Sequence, residues 1–170
     1  MRSFKGLCVA IFWNISAVVS NATDLQSVTL APVQHETAAI VVQSVDGSTV
    51  RYTPADLEAF PTYQLVTATP WRKDAAAFSG VLLSDILARH GLDSGVPIRV
   101  TAENEFTVIF DRAALAAAPV LVATRVNGHP HTRRDRGPIQ FVIDFETYRA
   151  SDALREAHFV WMAARIEPGR

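Results

Sequence analysis

The length, composition and charge of the chain describe one ordinary globular domain and exclude several kinds of protein. The 170 residues are 49% hydrophobic and 19% charged, with a formal net charge of −1. This is too apolar for a disordered chain and gives no basic excess for binding nucleic acid. The one cysteine, Cys8, lies in a predicted removable leader, so the mature protein has no disulfide framework, cysteine-ligated metal site or thiolate nucleophile.

The N-terminus has the order of a secretory signal: cations, then an apolar uncharged run, then small residues. The parts are Arg2, Lys5, the run 6–19 and Ser20-Asn21-Ala22, which resembles a cleavage site. The run is short for a membrane span; an uncleaved anchor or a buried N-terminal helix is the alternative. We predict a signal peptide over 1–22, export to a bacterial periplasm, and a single domain over 25–170. Cleavage removes both cations and changes the net charge from −1 to −3.

Local signals in the first half of the chain predict a hairpin and two helices. The β-branched run 38–43 and the segment 49–52 flank an Asp-Gly pair, which favours a tight turn. Thr53, Pro54 and Asp56 have the chemistry of a capped helix start. The other predictions are a strand over 63–67, a loop over 69–77, and a helix over 78–91 with an apolar stripe of Leu82, Leu83, Ile86 and Leu87 and a stop at Gly91.

The second half alternates short strands with short helical turns. The predicted strands are 98–101, 106–110, 120–126, 139–143 and 159–166, and the predicted helices are 112–118, capped by Asp111, and a short one capped by Ser151 and running through 157. Many short strands with few helices favour an α+β fold with mainly antiparallel sheets.

The densest polar segment, 125–138, has four arginines and one carboxylate. Clustered guanidinium groups suit anionic or planar ligands, and arginines paired with surface acids are the alternative. The segment also contains His129 and His131, but only two histidines with a proline between them predict a surface loop rather than a metal site. Trp71 lies beside two cations and either stacks on a flat heterocycle or covers the edge of the core.

Taken in order, these segments resemble the sulfite-oxidase-like molybdopterin-binding domain of oxidoreductases. The run 78–87 with Gly91 is similar to that family's F-x-G-V-x-L-x-D-L-L…G segment, and 101–108 is similar to its A-x-D-G-Y segment. The stretch 126–138 is similar to N-G-x-x-L…R-D-x-G-P, and Trp161 with Ile166 is similar to the closing strand. The resemblance covers about 38–167 and implies mixed, mainly antiparallel sheets with short helices.

One departure from the family decides the functional expectation. Catalytic members carry a cysteine that ligates molybdenum, and Thr67 matches its position here. A threonine hydroxyl is a poor ligand at a site built for soft sulfur. The resemblance therefore implies the cysteine-lacking periplasmic branch: a non-catalytic pterin-binding protein, without molybdenum, whose liganded form contacts the periplasmic domain of a membrane cyclic di-GMP cyclase or phosphodiesterase.

A pterin bound in such a domain needs three kinds of contact. Asp135 accepts from the amino–imino edge, and Arg134 or Arg136 donates to the keto oxygen and ring nitrogens. The ring face needs an aromatic or guanidinium group, and the hydroxylated side chain needs hydroxyl or amide groups. The candidates for the ring face are Trp71, Arg72 and Phe106, and those for the side chain are Thr67, Thr69, Ser79 and Asn104.

Other readings of these residues and of the chain stay open at the sequence level. Asp135 bridges its arginine neighbours in one of them, and Ser79 caps the helix that follows it in another. The chain as a whole is alternatively a molybdopterin-dependent oxidoreductase with a non-cysteine metal ligand, or an interaction module with a degenerate pocket.

Overall fold

Two β-sheets form the framework of the computed structural model, which describes residues 24–93 and 95–169. Cys8 and the predicted signal peptide lie outside the described residues. The strands are β1 (Leu25–Ser27), β2 (Ile40–Gln43), β3 (Thr49–Tyr52), β4 (Thr62–Thr69), β5 (Arg72–Leu82), β6 (Ile98–Ala102), β7 (Thr107–Phe110), β8 (Leu121–Val126), β9 (His129–Pro130), β10 (Gln140–Val142) and β11 (Ala163–Pro168).

The first sheet has the order β1-β4-β5-β8-β10, with β9 also paired to β8, and the second has the order β3-β2-β11-β6-β7. Among the named strands of the described chain, only β2 and β11 pair in parallel. Four short helices connect the strands: α1 (Pro54–Leu57), α2 (Leu83–Arg89), α3 (Arg112–Ala117) and α4 (Phe145–Ala150). The predicted α+β, mainly antiparallel architecture is confirmed.

The main core joins both sheets and the helices. Its fully buried members include Ile40, Val100, Phe110, Phe141 and Ile166, and the apolar stripe of α2 contributes Leu83, Ile86 and Leu87. Burial of this apolar surface is the main force holding the sheets together. A smaller cluster around Leu65, Phe78 and Leu121 packs on the first sheet. No helix within 24–93 or 95–169 is long and apolar enough to cross a bilayer.

Local chemistry correctly predicted the first hairpin turn and two helix caps. The 38–52 hairpin forms with Gly47 at φ +86°, a conformation that glycine adopts without strain. Thr53 and Asp56 form a reciprocal capping box with Pro54 in the first turn of α1, and Asp111 Oδ1 accepts from the amide of Ala114 at 2.8 Å.

The segment 69–82 corrects two predictions. The expected loop over 69–77 is a tight turn followed by β5, and 78–82 continues that strand instead of starting the helix, which spans only Leu83–Arg89. The pairing with β8 explains this. A Cβ on Gly80 would lie 2.1 Å from the carbonyl oxygen of Val122, so the two backbones approach as closely as only glycine allows.

Two further predictions near the C-terminus were wrong in position. Ser151 ends α4 rather than starting a helix, and Asp144 is the residue that caps α4, accepting from the amide of Thr147. The last strand begins at Ala163, later than the expected 159, because Phe159 and Val160 are buried in the core after a short turn at 156–158. Apolar residues marked that stretch, and their pattern did not separate a buried turn from a strand.

Candidate ligand-binding site

A cleft of about 400 Å³ opens beside the tip of the β4–β5 hairpin. Its walls are Trp71, Asn104, Phe106, Glu156, Ala157, Phe159 and Trp161, and we call it the aromatic cleft. Three of these residues are predicted ligand contacts: Trp71, and the neighbouring Asn104 and Phe106, which lie more than thirty residues after it in the sequence. Flat aromatic walls with a few polar groups are typical of pockets for planar ligands.

Trp71 is held at the edge of this cleft by contacts on both sides. Its ring meets Phe159 edge to face at a centroid distance of 6.5 Å, and the guanidinium of Arg136 lies 5.2 Å from its centroid. The ring is half-buried and packs against the core. Trp71 therefore both covers the edge of the core and lines the cleft, so the two alternatives of the sequence describe one position.

A second, small recess of about 30 Å³ is lined in part by Arg136. Its lining residues are Thr69, Arg72, Phe78, Val126, His131, Asp135, Arg136 and Gln140, and we call it the polar recess. Four of them, Thr69, Arg72, Asp135 and Arg136, are predicted ligand contacts. Arg136 joins the two spaces because it lines the recess and stacks on the tryptophan of the cleft.

The carboxylate of Asp135 is held by a hydroxyl group and not by an ion pair with an arginine. Its Oδ2 accepts from the hydroxyl of Thr132 at 2.9 Å, and no arginine lies within ion-pair distance of it in the described part of the chain. The reading in which Asp135 only bridges its arginine neighbours is therefore wrong. Arg136 follows with φ +76°, an uncommon conformation for a side-chain-bearing residue that ends the turn over 133–135.

Arg133 fixes this turn to two other parts of the fold. Its guanidinium donates to Glu103 at 2.8 and 3.1 Å and to the carbonyl of Thr37 at 3.1 Å, and its amide donates to Glu36 at 3.2 Å. The hydrogen bond to Glu103 raises the pKa of Arg133. Arg134 is exposed and lines neither the aromatic cleft nor the polar recess. The arginine segment thus contains both paired and unpaired cations.

Two predicted contacts lie away from the site. The hydroxyl of Thr67 is buried and accepts from the amide of Phe145 at 2.8 Å, at the start of α4. Ser79 is buried in β5, where its hydroxyl accepts from Gln64 at 3.2 Å. Ser79 therefore neither lines the pocket nor caps a helix, because the segment around it is a strand. For Ser79, strand alternation puts the hydroxyl on the face opposite Phe78, which lines the polar recess; for Thr67, a register shift in the β4–β5 pairing separates it from Thr69, which does line the recess.

The structure adds residues that sequence reasoning missed. His131 was expected in a surface loop, but it is 2% exposed and its Nε2 lies 2.7 Å from Oε1 of Gln140. Burial lowers its pKa. Phe159 and Trp161 complete the aromatic cleft from the segment before β11. Their only sequence signal is their aromatic character, because the turn that presents them is decided by long-range packing.

The donor set does not fit a molybdenum centre at the expected position. Thr67 offers a hydroxyl instead of sulfur, and that hydroxyl is already engaged with the backbone of α4. Within 24–93 and 95–169, no three potential ligands among His, Cys, Asp and Glu are grouped to hold a metal. The aromatic cleft offers flat aromatic walls, and the polar recess offers arginines and a carboxylate.

Comparisons with known proteins bear on the fold. Neither a family model nor a curated protein sequence matches the chain. Among solved structures, the chain is similar to the sulfane dehydrogenase SoxCD from Paracoccus pantotrophus, with a TM-score of 0.58 and 14% sequence identity over 81% of this chain. The chain spans 39% of the length of that protein. The likeness confirms the predicted fold class: the chain has the two-sheet, mainly antiparallel fold of sulfite-oxidase-like molybdopterin domains.

Proposed function

We propose that this protein is a non-catalytic pterin-binding protein of the periplasm whose ligand-bound form signals to a membrane sensor controlling cyclic di-GMP turnover. The observation that carries the proposal is the convergence of Trp71, Phe106, Asp135 and Arg136 on two adjoining spaces. A pterin is a flat bicycle with an amino–imino donor edge and a keto acceptor, and these side chains supply a stacking face, an acceptor and a donor.

The roles follow from where each group lies. The indole of Trp71 and the ring of Phe106 bind the ligand's faces, and Asn104 offers an amide to its hydroxylated side chain. Asp135 accepts from the donor edge, while Arg136 and Arg72 donate to the keto oxygen. Without a sulfur ligand the chain binds the pterin as a signal rather than using it with molybdenum.

The first test uses tryptophan fluorescence, because the mature chain has two tryptophans and both line the aromatic cleft. Trp13 leaves with the predicted leader, and Trp71 and Trp161 remain. Titration with pterin is expected to quench the emission and to give a saturable isotherm by calorimetry. Mass spectrometry of small molecules released from protein purified from the periplasm identifies the resident ligand. No quenching and no heat at high micromolar pterin would refute ligand binding.

The signalling step has a separate test. The periplasmic domain of a candidate cyclase or phosphodiesterase, immobilised, is expected to retain this protein only when pterin is added. Retention that does not depend on pterin supports the interaction-module reading instead.

The predicted export has its own measurement. The N-terminus of the mature protein, determined by mass spectrometry, is expected directly after Ala22.

A second candidate is a molybdopterin-dependent oxidoreductase with a non-cysteine ligand. The fold likeness to a protein described as a dehydrogenase favours it. It requires about one molybdenum atom per chain in protein from a molybdate-fed host, measured by elemental analysis. We expect none, and a stoichiometric content would replace the binding proposal with the enzymatic one.

A further inference from the structure

His131 lines the polar recess and is not among the ligand contacts assigned above. Its side chain is 2% exposed and packs against Phe78 at a ring-centroid distance of 6.2 Å. A Cβ on Gly137 would lie 2.7 Å from Cγ of His131, so the backbone after Arg136 closes directly on the imidazole. The recess beside it, at about 30 Å³, has room for one small polar group.

The hydrogen bonding of His131 decides which ring nitrogen carries the proton. Nε2 lies 2.7 Å from the acceptor Oε1 of Gln140, so Nε2 carries the hydrogen and Nδ1 of the neutral ring is left as an acceptor. Nδ1 is buried and has no hydrogen-bond partner among the described residues. A buried acceptor without a partner is costly, and a donor entering the recess removes that cost.

Burial favours the neutral form of His131, and the charges around it act in both directions. Burial is the main cause of its lowered pKa, and Arg72 acts in the same direction, while Gln140, Asp135 and Glu36 act in the opposite direction. Arg136 also lines the recess. A protonated imidazole would therefore have no acceptor at Nδ1 and would add a positive charge beside two arginines.

We propose that Nδ1 of His131 accepts an N–H of the bound ligand, so that the protein releases its ligand when acidification protonates this ring. The inference rests on the proposed pterin-binding function and adds a contact and a mode of regulation to the same site. It also gives the ligand's chemical class: a heterocycle with an N–H donor at the end that enters the recess.

The pH dependence has a defined sign. Ligand binds only the form with neutral His131, so affinity is constant where the ring is neutral and falls as pH drops through the pKa of the free protein. Below that value the dissociation constant rises up to tenfold per pH unit, because one proton must leave for each ligand that binds.

The experiment is a calorimetric titration of the mature chain with pterin between about pH 7.5 and about pH 5, the range in which histidines titrate. The wild type is expected to weaken progressively in acid. His131→Asn, which does not titrate, is expected to bind with an affinity that changes less than about threefold over this range, which is well under one order of magnitude. His129→Asn, an exposed neighbour on the same segment, is the matched control and is expected to keep the wild-type profile.

A second measurement does not depend on any variant folding. Wild-type titrations in two buffers of different ionisation enthalpy are expected to show release of close to one proton per bound pterin at the acidic end and none near neutrality. An unchanged pH profile in His131→Asn, or the absence of proton release, would overturn the inference while leaving pterin binding intact. Failure of the wild type to bind pterin at every pH overturns the proposed function and this inference with it.

Discussion

Two polar regions of this protein contain the same kinds of groups but differ in how completely those groups are paired. One is a buried ion cluster of Glu58, Thr124, Arg125 and His35; the other is the polar recess with Asp135, Arg136, Arg72 and His131. Both contain a carboxylate, arginine and histidine. In the buried ion cluster the carboxylate and the guanidinium form an ion pair with each other. In the polar recess Asp135 and Arg136 form no ion pair among the described residues.

In the buried ion cluster the carboxylate and the guanidinium are paired with each other, although Nδ1 of His35 has no hydrogen-bond partner among the described residues. Arg125 donates from Nε and Nη2 to the two oxygens of Glu58, and Thr124 donates to the same carboxylate at 2.7 Å. The side chains of both ions are less than a tenth exposed. Burial alone raises the pKa of Glu58, but hydrogen bonds from Arg125 and Thr124, with nearby His35, outweigh it and lower the pKa. Arg125 also donates to the carbonyl of Ala31 at 2.7 Å, which ties the N-terminal segment to β8.

In the polar recess the charges do not match. Asp135 has a single hydroxyl donor, Arg136 stacks on an aromatic ring, and His131 has an unpartnered Nδ1. Nδ1 of His131 is buried, so its missing partner costs stability, whereas Asp135 is exposed to solvent; a ligand can supply partners to both. The difference predicts that changes in the first region affect folding and that changes in the second affect binding.

The largest expected effect is on folding, at the buried ion cluster. Arg125→Met leaves Glu58 buried without its main partner, and loss of one member of a buried ion pair typically costs about 3–5 kcal/mol. Urea unfolding measures the loss. The double variant Arg125→Met/Glu58→Leu is expected to recover much of it, because no buried charge is left over. A loss below about 1 kcal/mol, the size typical of exposed pairs, would remove the distinction between the two regions.

The second effect is on binding, at the recess. Asp135→Ala removes the acceptor for the ligand's donor edge, and charge-assisted hydrogen bonds of this kind contribute about 1.5–3 kcal/mol, so pterin affinity is expected to fall roughly 10- to 100-fold. Stability is expected to change by less than about 0.5 kcal/mol, as for surface substitutions.

Arg134→Ala is the matched control for this prediction. Arg134 is adjacent in sequence but lines neither space, so pterin affinity in this variant is expected to stay within about twofold, a change far below 1 kcal/mol. The two substitutions change the segment's charge in opposite directions, so equal losses of affinity in both variants, measured by calorimetry, would mean that binding does not depend on the position of Asp135 in the polar recess.

A third and smaller effect concerns Thr67, which the sequence placed in the ligand site and the structure places under α4. Thr67→Val keeps the shape but leaves the amide of Phe145 without its acceptor, at a cost of about 1–2 kcal/mol. Thermal unfolding is expected to show this loss while pterin affinity is unchanged. Weaker pterin binding with unchanged stability would mean that Thr67 contacts the ligand.

The smallest effect is a pH dependence that belongs to the buried ion cluster. The pKa of Glu58 is lower in the folded state than its ordinary value of 4.5, so its ionised form contributes stability above that pH. This contribution is lost as pH falls from 4.5 through the folded pKa, because the unfolded state takes up the proton first. The unfolding free energy of Glu58→Gln is expected to fall less steeply with decreasing pH than that of the wild type. Parallel pH curves for the two proteins would mean that other groups cause the loss of stability in acid.

Much of the fold could be predicted from local patterns, and the candidate site only in part. Turn residues and caps such as Gly47, Thr53 and Asp111 act through near neighbours, so their roles are visible in the sequence. Gly80 shows the opposite case: the sequence around it has a helical pattern, but close approach to β8 makes it part of a strand. The same limit applies to the site, because the register shift between Thr67 and Thr69 in β4 and the strand at Ser79 in β5 decide which hydroxyls face the recess.

The sequence by itself determined which reactive and binding groups are present: a single cysteine near the N-terminus, an arginine-rich segment with one carboxylate, and three tryptophans. Only the tertiary structure decided how these groups are used. It paired Arg125 and Arg133 with acids, left Arg136 and Asp135 at a concave surface, and buried His131 beside them. The physical reason is that pairing and burial depend on strands and loops far apart in the chain, whereas a sequence pattern reports only on neighbours.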